Sequence, residues 1–266
     1  MSKYPLSSIH PNAKIADNVS IESFVTIQED VIIGEGTWIG PNAVIMNGSR
    51  IGKNCQIHPG AVISGTPQDK KFDGEYTLAI IGDNTSIREF ATINRGTKAK
   101  EKTVIGSNCL IMSYGHVAHD SIIGNGCIVG SYAGIAGEVE MDDFAILSPG
   151  SLVHQFCRIG THVMIQGGSK VTKDVPPYCM AGRDPLAYTG VNSVGLRRRG
   201  FSNDAINQIL DIYRTIYQRG LNVSQAIDFI EANVSASTER DVIVNFVKGS
   251  KRGIIRSVLD SRGSEE

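Results

Sequence analysis

Large aliphatic side chains return at every sixth position across most of this chain, and no other feature limits the fold as much. Counting in sixes from Ile9 to Val171 meets Ile, Val, Leu or Met at each step except Asp69, Glu75 and Ala99, and the phase never slips. The fourth residue after each aliphatic is usually small, as at Ala13, Ala43, Ser49, Ala61, Ala91, Ser121, Ala133, Ala145 and Ser151. Glycine often follows the aliphatic directly, as at Gly34, Gly52, Gly106 and Gly124. A six-residue period fits neither a free strand nor a helix. It fits one short strand plus one turn, repeated. Three hexads then close an 18-residue coil of triangular section, and coils stack by strand hydrogen bonding at roughly 4.8 Å each. The prediction is a mainly β protein, a parallel β-helix with the aliphatics inside. The usual crossover preference would make such a coil right-handed.

Two excursions break the pattern, at about residues 65–79 (mixed charge) and 97–103 (mostly basic). Both read as loops thrown out from corners of the prism, where binding residues concentrate. After Val175-Pro176-Pro177 the period changes to a helical one. Residues 202–219 carry apolar side chains on one helical face, with Ser202 as N-cap and Gly220 just beyond the end. Residues 223–234 and 239–248 suggest two more helices, capped near Asn222 and Ser237, and 191–200 a short helical turn. The expected organisation is a β-helix over 1–177 and a small helical domain over 178–266.

Composition excludes several function classes. Lys and Arg number 26 against 27 Asp and Glu, a net charge of −1, which argues against a dedicated nucleic-acid or polybasic membrane-surface binder. No apolar run approaches a membrane span, and no secretory signal is visible at the N-terminus. The five Cys residues lack metal-type spacing, so a reduced, cytoplasmic compartment is expected. Cys55, Cys109, Cys127 and Cys157 occupy the small corner position and read as buried fillers.

If residues i and i+18 share a column, His119 lies under Gly137 and Gly137 under Gln155. His119 follows an inward aliphatic by two and is expected to point outward, exposed, with Asp120 beside it. Such a pair suits a general base oriented by an acid. A backbone N–H at Gly137 would be placed for an oxyanion. Two ordinary surface histidines, His116 and His119, are the plain alternative. A zinc site of the γ-carbonic-anhydrase kind needs three His, and His154 and His162 fall too far from the pair to complete one. Aromatics at the third position, Phe24, Phe90, Tyr114, Tyr132, Phe144 and Phe156, face out and suggest a subunit interface or an acyl groove.

Longer motifs narrow the reading. HVAHD at 116–120, the run AGEVEMDDFAILSPGSLVHQFCRIGTHVMIQGGSKVTKDVPPY, PQDKKFDGE, IREFATINRGT and GVNSVGLRRRGFS together resemble the acyl-[acyl-carrier-protein]–UDP-N-acetylglucosamine O-acyltransferases over about residues 8–256. The resemblance implies a left-handed coil, a cytoplasmic homotrimer, and the first step of lipid A biosynthesis. An (R)-3-hydroxyacyl chain would pass from acyl carrier protein to the 3-hydroxyl of UDP-N-acetylglucosamine. It implies no metal and no free cofactor, since phosphopantetheine arrives on the carrier protein. His119 matches the family's catalytic base, Asp120 the orienting acid and Gly137 the oxyanion donor. Gln68, Asp69 and Lys71 match sugar- and phosphate-contacting positions, and His116, His154 and Gln155 match groove residues. Asn192, Arg198 and Arg199 match the nucleotide end, the arginines suiting a diphosphate. Gly167 matches a position whose small residue leaves the acyl groove long, and Gln166 beside it is bulkier than the family's frequent Gly.

The chain departs from the family pattern at Asn94, Glu138 and Pro185, where His is frequent, and at Val194, where Glu is frequent. Two other readings of the hexad repeat stay open at this point. One is an acetyl-CoA-dependent hexapeptide acetyltransferase, which leaves the first excursion unexplained. The other is a non-catalytic β-helix that binds carrier protein.

Overall fold

Three sheets, parallel along the hexad repeat, form the three faces of a prism in the computed structural model, which describes residues 4–258. The first face has nine strands, from Ser8–Ile9 to Lys170–Val171. The second has eight, from Lys14–Ile15 to Arg158–Ile159. The third starts at Ser20–Ile21 and has eleven. Most strands are two residues long and end on the sixth-position aliphatic, which points inward: Ile39, Ile57, Ile87, Ile111, Val129 and Ile165 are all 0% exposed. Burying each such side chain is worth about 1.5–3 kcal/mol, so the interior ladder is the main source of cohesion. The small corner residues are buried too, among them Ala43, Ala61, Cys55, Cys127 and Cys157.

The ladder register confirms the 18-residue coil: His116 pairs with Gly134 and Gly134 with Leu152. The excursions are whole hexads added to a coil. Val62 pairs with Thr92, thirty residues on, and Thr92 with His116, twenty-four on. Insertions of twelve and six residues keep every later aliphatic facing in, which is why the period survives them.

Most corners share one geometry. The third residue after the aliphatic takes a left-handed backbone, with φ between 52° and 67° at residues such as Asn54, Phe90, Asp120, Glu138 and Phe156. Asn and Gly suit this conformation. The aromatics there stack instead: Phe90, Tyr114 and Tyr132 form a column with ring centroids 5.3 and 4.9 Å apart. Glycines that directly follow the aliphatic serve close approach, since a Cβ on Gly106 would lie 2.6 Å from the Gly124 carbonyl oxygen.

The C-terminal part begins as more prism. Cys179–Gly182 pairs with Met164–Ile165 on the third face, and Ala187–Val191 and Arg256–Ser257 extend that sheet. Helices start only at α1 (Ser193–Arg198), followed by α2 (Asn203–Gln218), α3 (Val223–Asn233) and α4 (Thr238–Lys248). Ser202 and Ser237 cap α2 and α4, and Asn222 and Gln225 form a capping box on α3. Tyr213 of α2, 1% exposed, donates its hydroxyl to the Pro177 carbonyl and stacks on Tyr188, fastening the helices to the prism. The outer ends of the two expected domains, 1–3 and 259–266, lie outside the described residues.

Candidate active site

Most corners carry an N–H on the second residue after the aliphatic, and the three edges of the prism hold examples of three treatments. Between the second and third faces an Asp or Asn of the next coil accepts it: Lys53 donates to Asp83, Ser107 to Asn125 and Asn125 to Asp143. Between the third and first faces the donor is removed at Pro41, Pro59 and Pro149. Between the first and second faces lie His119, Gly137 and Gln155, one above another. Here the N–H of Gly137 has no hydrogen-bond partner among the described residues. The next coil offers the long side chain of Gln155 in place of a short acceptor.

His119 stands against Gly137. A Cβ built on Gly137 would lie 2.5 Å from its Cε1 and 2.6 Å from its Nε2, so the glycine makes room for the ring. The ring's other nitrogen, Nδ1, is 2.8 Å from Asp120 Oδ2. Asp120 is 0% exposed. Its carboxylate also accepts from the Thr97 and Lys100 N–H groups and the Thr97 hydroxyl, and its own N–H donates to the Thr103 hydroxyl. His119 is not the exposed residue its register suggests. It points away from the prism axis, as expected, yet is only 7% exposed. The first excursion folds over it and brings Asp69 Oδ2 to 3.9 Å from Nε2.

The second excursion is the part that sequence reasoning missed. It reads as a basic surface loop, but Thr97 and Thr103 turn in to hold Asp120. The available signal was the register, because both threonines fall four residues after a sixth position, Ile93 and Ala99. Small residues there face inward elsewhere in the prism.

A cleft of about 470 Å³ opens beside His119 across the first face. Gln68, His116, Gly134, Leu152 and Gln155 line it together with His119 and Gly137. His116 Nδ1 is 2.7 Å from the Thr92 hydroxyl, and burial, then the neighbouring His119, pushes its imidazole below the ordinary range. His154 is exposed, with Nδ1 3.0 Å from the Gln155 carbonyl oxygen. Lys71 is exposed on the first excursion, its N–H bonded to Asp69. Asn94 is buried and donates to the Thr66 carbonyl, tying the base of that excursion. Gly167 lies on the edge between the third and first faces, so the first face separates it from His119. The positive φ of that turn belongs to Gly168, not to Gly167. Gln166 packs its side chain toward Gly182.

Asn192, Arg198 and Arg199 are not brought to the cleft within one chain. Asn192 caps α1 and donates its amide to the His162 carbonyl. Arg199 lies with its guanidinium 4.2 Å from the centre of the Phe144 ring, on the edge between the second and third faces. Val194 and Pro185 are exposed near this end. No group of three or more His, Cys, Asp or Glu among the described residues is spaced to hold a metal ion, and no helix among them is long and apolar enough to cross a membrane.

A family model described as bacterial transferase hexapeptide (six repeats) matches residues 30–65 and 102–137. One described as UDP-N-acetylglucosamine O-acyltransferase, domain 2, matches residues 174–255. The fold and the His–Asp pair beside a cleft define a hexapeptide-repeat acyltransferase with a left-handed coil. The acyl-[acyl-carrier-protein]–UDP-N-acetylglucosamine O-acyltransferase of Stenotrophomonas maltophilia is 40% identical over 255 residues, 95% of this chain and 97% of its own. That of Halorhodospira halophila is 41% identical over 254 residues, 95% of this chain and 98% of its own. The chain belongs to the acyl-[acyl-carrier-protein]–UDP-N-acetylglucosamine O-acyltransferase family. The crystal structure of the UDP-N-acetylglucosamine acyltransferase of Bacteroides fragilis is similar with a TM-score of 0.94 and 57% identity, covering 95% of this chain and 99% of that one. The enzyme of Francisella novicida gives 0.94 at 37% identity, covering 97% and 95%.

Proposed function

We propose that this protein carries out the first step of lipid A biosynthesis, moving an (R)-3-hydroxyacyl group from acyl carrier protein to the 3-hydroxyl of UDP-N-acetylglucosamine. The observation that carries this reading is the His119–Asp120 pair packed beside Gly137, whose N–H has no hydrogen-bond partner among the described residues, at an open cleft. His119 Nε2 takes the proton of the sugar hydroxyl as its oxygen attacks the thioester carbonyl. Asp120, on Nδ1, holds the ring's orientation and stabilises the imidazolium. The Gly137 N–H receives the developing oxyanion. Collapse expels the phosphopantetheine thiolate, which receives from the His119 imidazolium the proton that came from the sugar hydroxyl. A positioned base contributes roughly 10²–10⁴ in rate, and one oxyanion donor roughly 10²–10³. Holding two large substrates in register supplies much of the remainder.

The acceptor enters under the first excursion, where Gln68, Asp69 and Lys71 meet the sugar and its phosphates. The donor's acyl chain runs over Gly134 and Leu152 along the first face, with His116, His154 and Gln155 at its rim and Gly167 and Gln166 at its far end. Arg198 and Arg199, on the element that starts at Asn192, meet the nucleotide from a neighbouring protomer of a homotrimer, since their own edge of the prism faces away from their own His119. Asn192 acts there by setting the start of α1. The reaction uses no metal or resident cofactor and runs in the cytoplasm with its carrier protein. The test is acyl transfer by purified protein from a ladder of 3-hydroxyacyl carrier proteins to UDP-N-acetylglucosamine or its 3-amino analogue, with acetyl-CoA as a competing donor. Transfer from acetyl-CoA alone would replace this reading with a hexapeptide acetyltransferase, and no transfer with retained carrier binding would leave a scaffold.

A further inference from the structure

The carboxylate of Asp120 receives four donors, and three of them come from a single four-residue stretch. Thr97 gives its N–H at 2.9 Å to Oδ1 and its hydroxyl at 2.7 Å to Oδ2, and Lys100 gives its N–H at 3.1 Å to Oδ1. The fourth is His119 Nδ1, on the same Oδ2. Oδ2 is therefore shared between the imidazole and the Thr97 hydroxyl, and the hydroxyl sets where on that oxygen the imidazole can bind. The hydroxyl has one hydrogen, and the Ala99 N–H points at the Thr97 oxygen from 3.2 Å. That contact occupies an oxygen lone pair and leaves the hydrogen directed at Asp120. Thr97 is only 6% exposed, so water does not compete for these bonds.

The stretch is itself anchored on both sides. Lys98 donates its N–H to Glu75 on the first excursion, and Lys100 pairs through Nζ with Glu140 of the second face at 3.1 Å. The excursion that carries Asp69 to His119 is thus tied to the one that grips Asp120.

We propose that Thr97 is a positioning residue for the catalytic pair, its hydroxyl fixing the Asp120 oxygen that orients His119. The proposal rests on His119 as the general base. Substituting Thr97→Val keeps the shape and backbone donors and removes only the hydroxyl, whereas Thr97→Ser keeps the hydroxyl. Steady-state transfer from 3-hydroxyacyl carrier protein to UDP-N-acetylglucosamine is measured for the wild-type protein, both variants and His119→Ala. Loss of one hydrogen bond to a charged group predicts a kcat about tenfold or more lower in T97V with KM within about twofold, and recovery of most of that loss in T97S. In parallel, ¹⁵N-histidine-labelled protein is examined by NMR without substrate. The His119 Nδ1–H resonance should be present in the wild-type and T97S proteins and be broadened or lost in T97V. A T97V protein with wild-type kcat or an unchanged resonance overturns the proposal, as does T97S no better than T97V. Wild-type protein that transfers nothing would count against the functional reading, and the resonance would still decide the role of Thr97.

Discussion

The imidazole of His119 lies so close to the Gly137 α-carbon one coil above that a single methyl group there would sit 2.5 Å from its Cε1. Unstrained carbon contacts are about 3.5–4.0 Å. The ring cannot yield freely, because Nδ1 is held by the buried Asp120. Gly137 does not have a positive φ, so alanine suits its backbone. Gly137→Ala is therefore expected to push His119 out of line with the oxyanion position and lower kcat by roughly 100-fold, while the protein stays folded. Retained turnover would mean that the ring's present place is not the working one.

Acid sensitivity of the fold should trace in part to His162. Its ring is stacked between Phe144 and Tyr178, with Phe201 at its edge. Burial, then the Arg199 charge, pushes its imidazole down to about 4. The unfolded chain takes up a proton near pH 6.5 that the folded chain refuses until about pH 4. Stability is thus full above pH 6.5 and falls as pH drops through that window, by at most about 1.4 kcal/mol per pH unit from this residue. His162→Phe places an aromatic where Phe and Tyr already occupy the same turn position. Chemical denaturation at pH 7.5 and 5 should show a smaller loss for the variant than for the wild type. His58 and His116, also shifted downward by burial, supply the part that remains.

Gly167 is expected to limit acyl length. A side chain there would meet the Pro149 carbonyl oxygen, which a Cβ would approach to 3.1 Å, and would project over the edge of the first face. Gly167→Met should shift preference to shorter 3-hydroxyacyl donors, each excluded methylene being worth about 0.8 kcal/mol of burial. Donor-ladder kinetics check this. Equal losses on short and long donors would assign Gly167 to packing against Pro149 alone.

The proposed sharing of one site between protomers is open to complementation. His119 and Arg199 stand on different edges of one prism. His119→Ala and Arg199→Ala proteins, each nearly inactive alone, should regain activity when unfolded together and refolded as mixed trimers, because some sites then combine His119 of an Arg199→Ala chain with Arg199 of a His119→Ala chain. Sedimentation should give the mass of three chains. No recovery in verified mixed trimers would place both residues in the same chain's site.

The prism was legible because its determinant is local and repeated. Ile57, Ile87 and Ile111 face the interior for the same reason, and each hexad restates it. The His119–Gly137–Gln155 column followed from that period alone. The burial of His119 did not, because the covering residue Asp69 belongs to an excursion whose path depends on contacts such as Arg50 with Tyr76. The grip of Thr97 on Asp120 was hidden by a loop composition that looks solvated. The helices were visible from their caps at Ser202, Asn222 and Ser237, whereas the strands Cys179–Gly182 and Ala187–Val191 were not, since they lack the hexad and gain their pairing only against the prism's last coil.

The most direct measurement is single-turnover acyl transfer from 3-hydroxyacyl carrier protein to UDP-N-acetylglucosamine by the wild-type and His119→Ala proteins. Removing the ring takes away the base without touching a core aliphatic, so transfer should slow by at least about 100-fold while the protein stays folded with the same mass in solution. A folded His119→Ala protein that transfers the acyl group at near the wild-type rate would contradict the account.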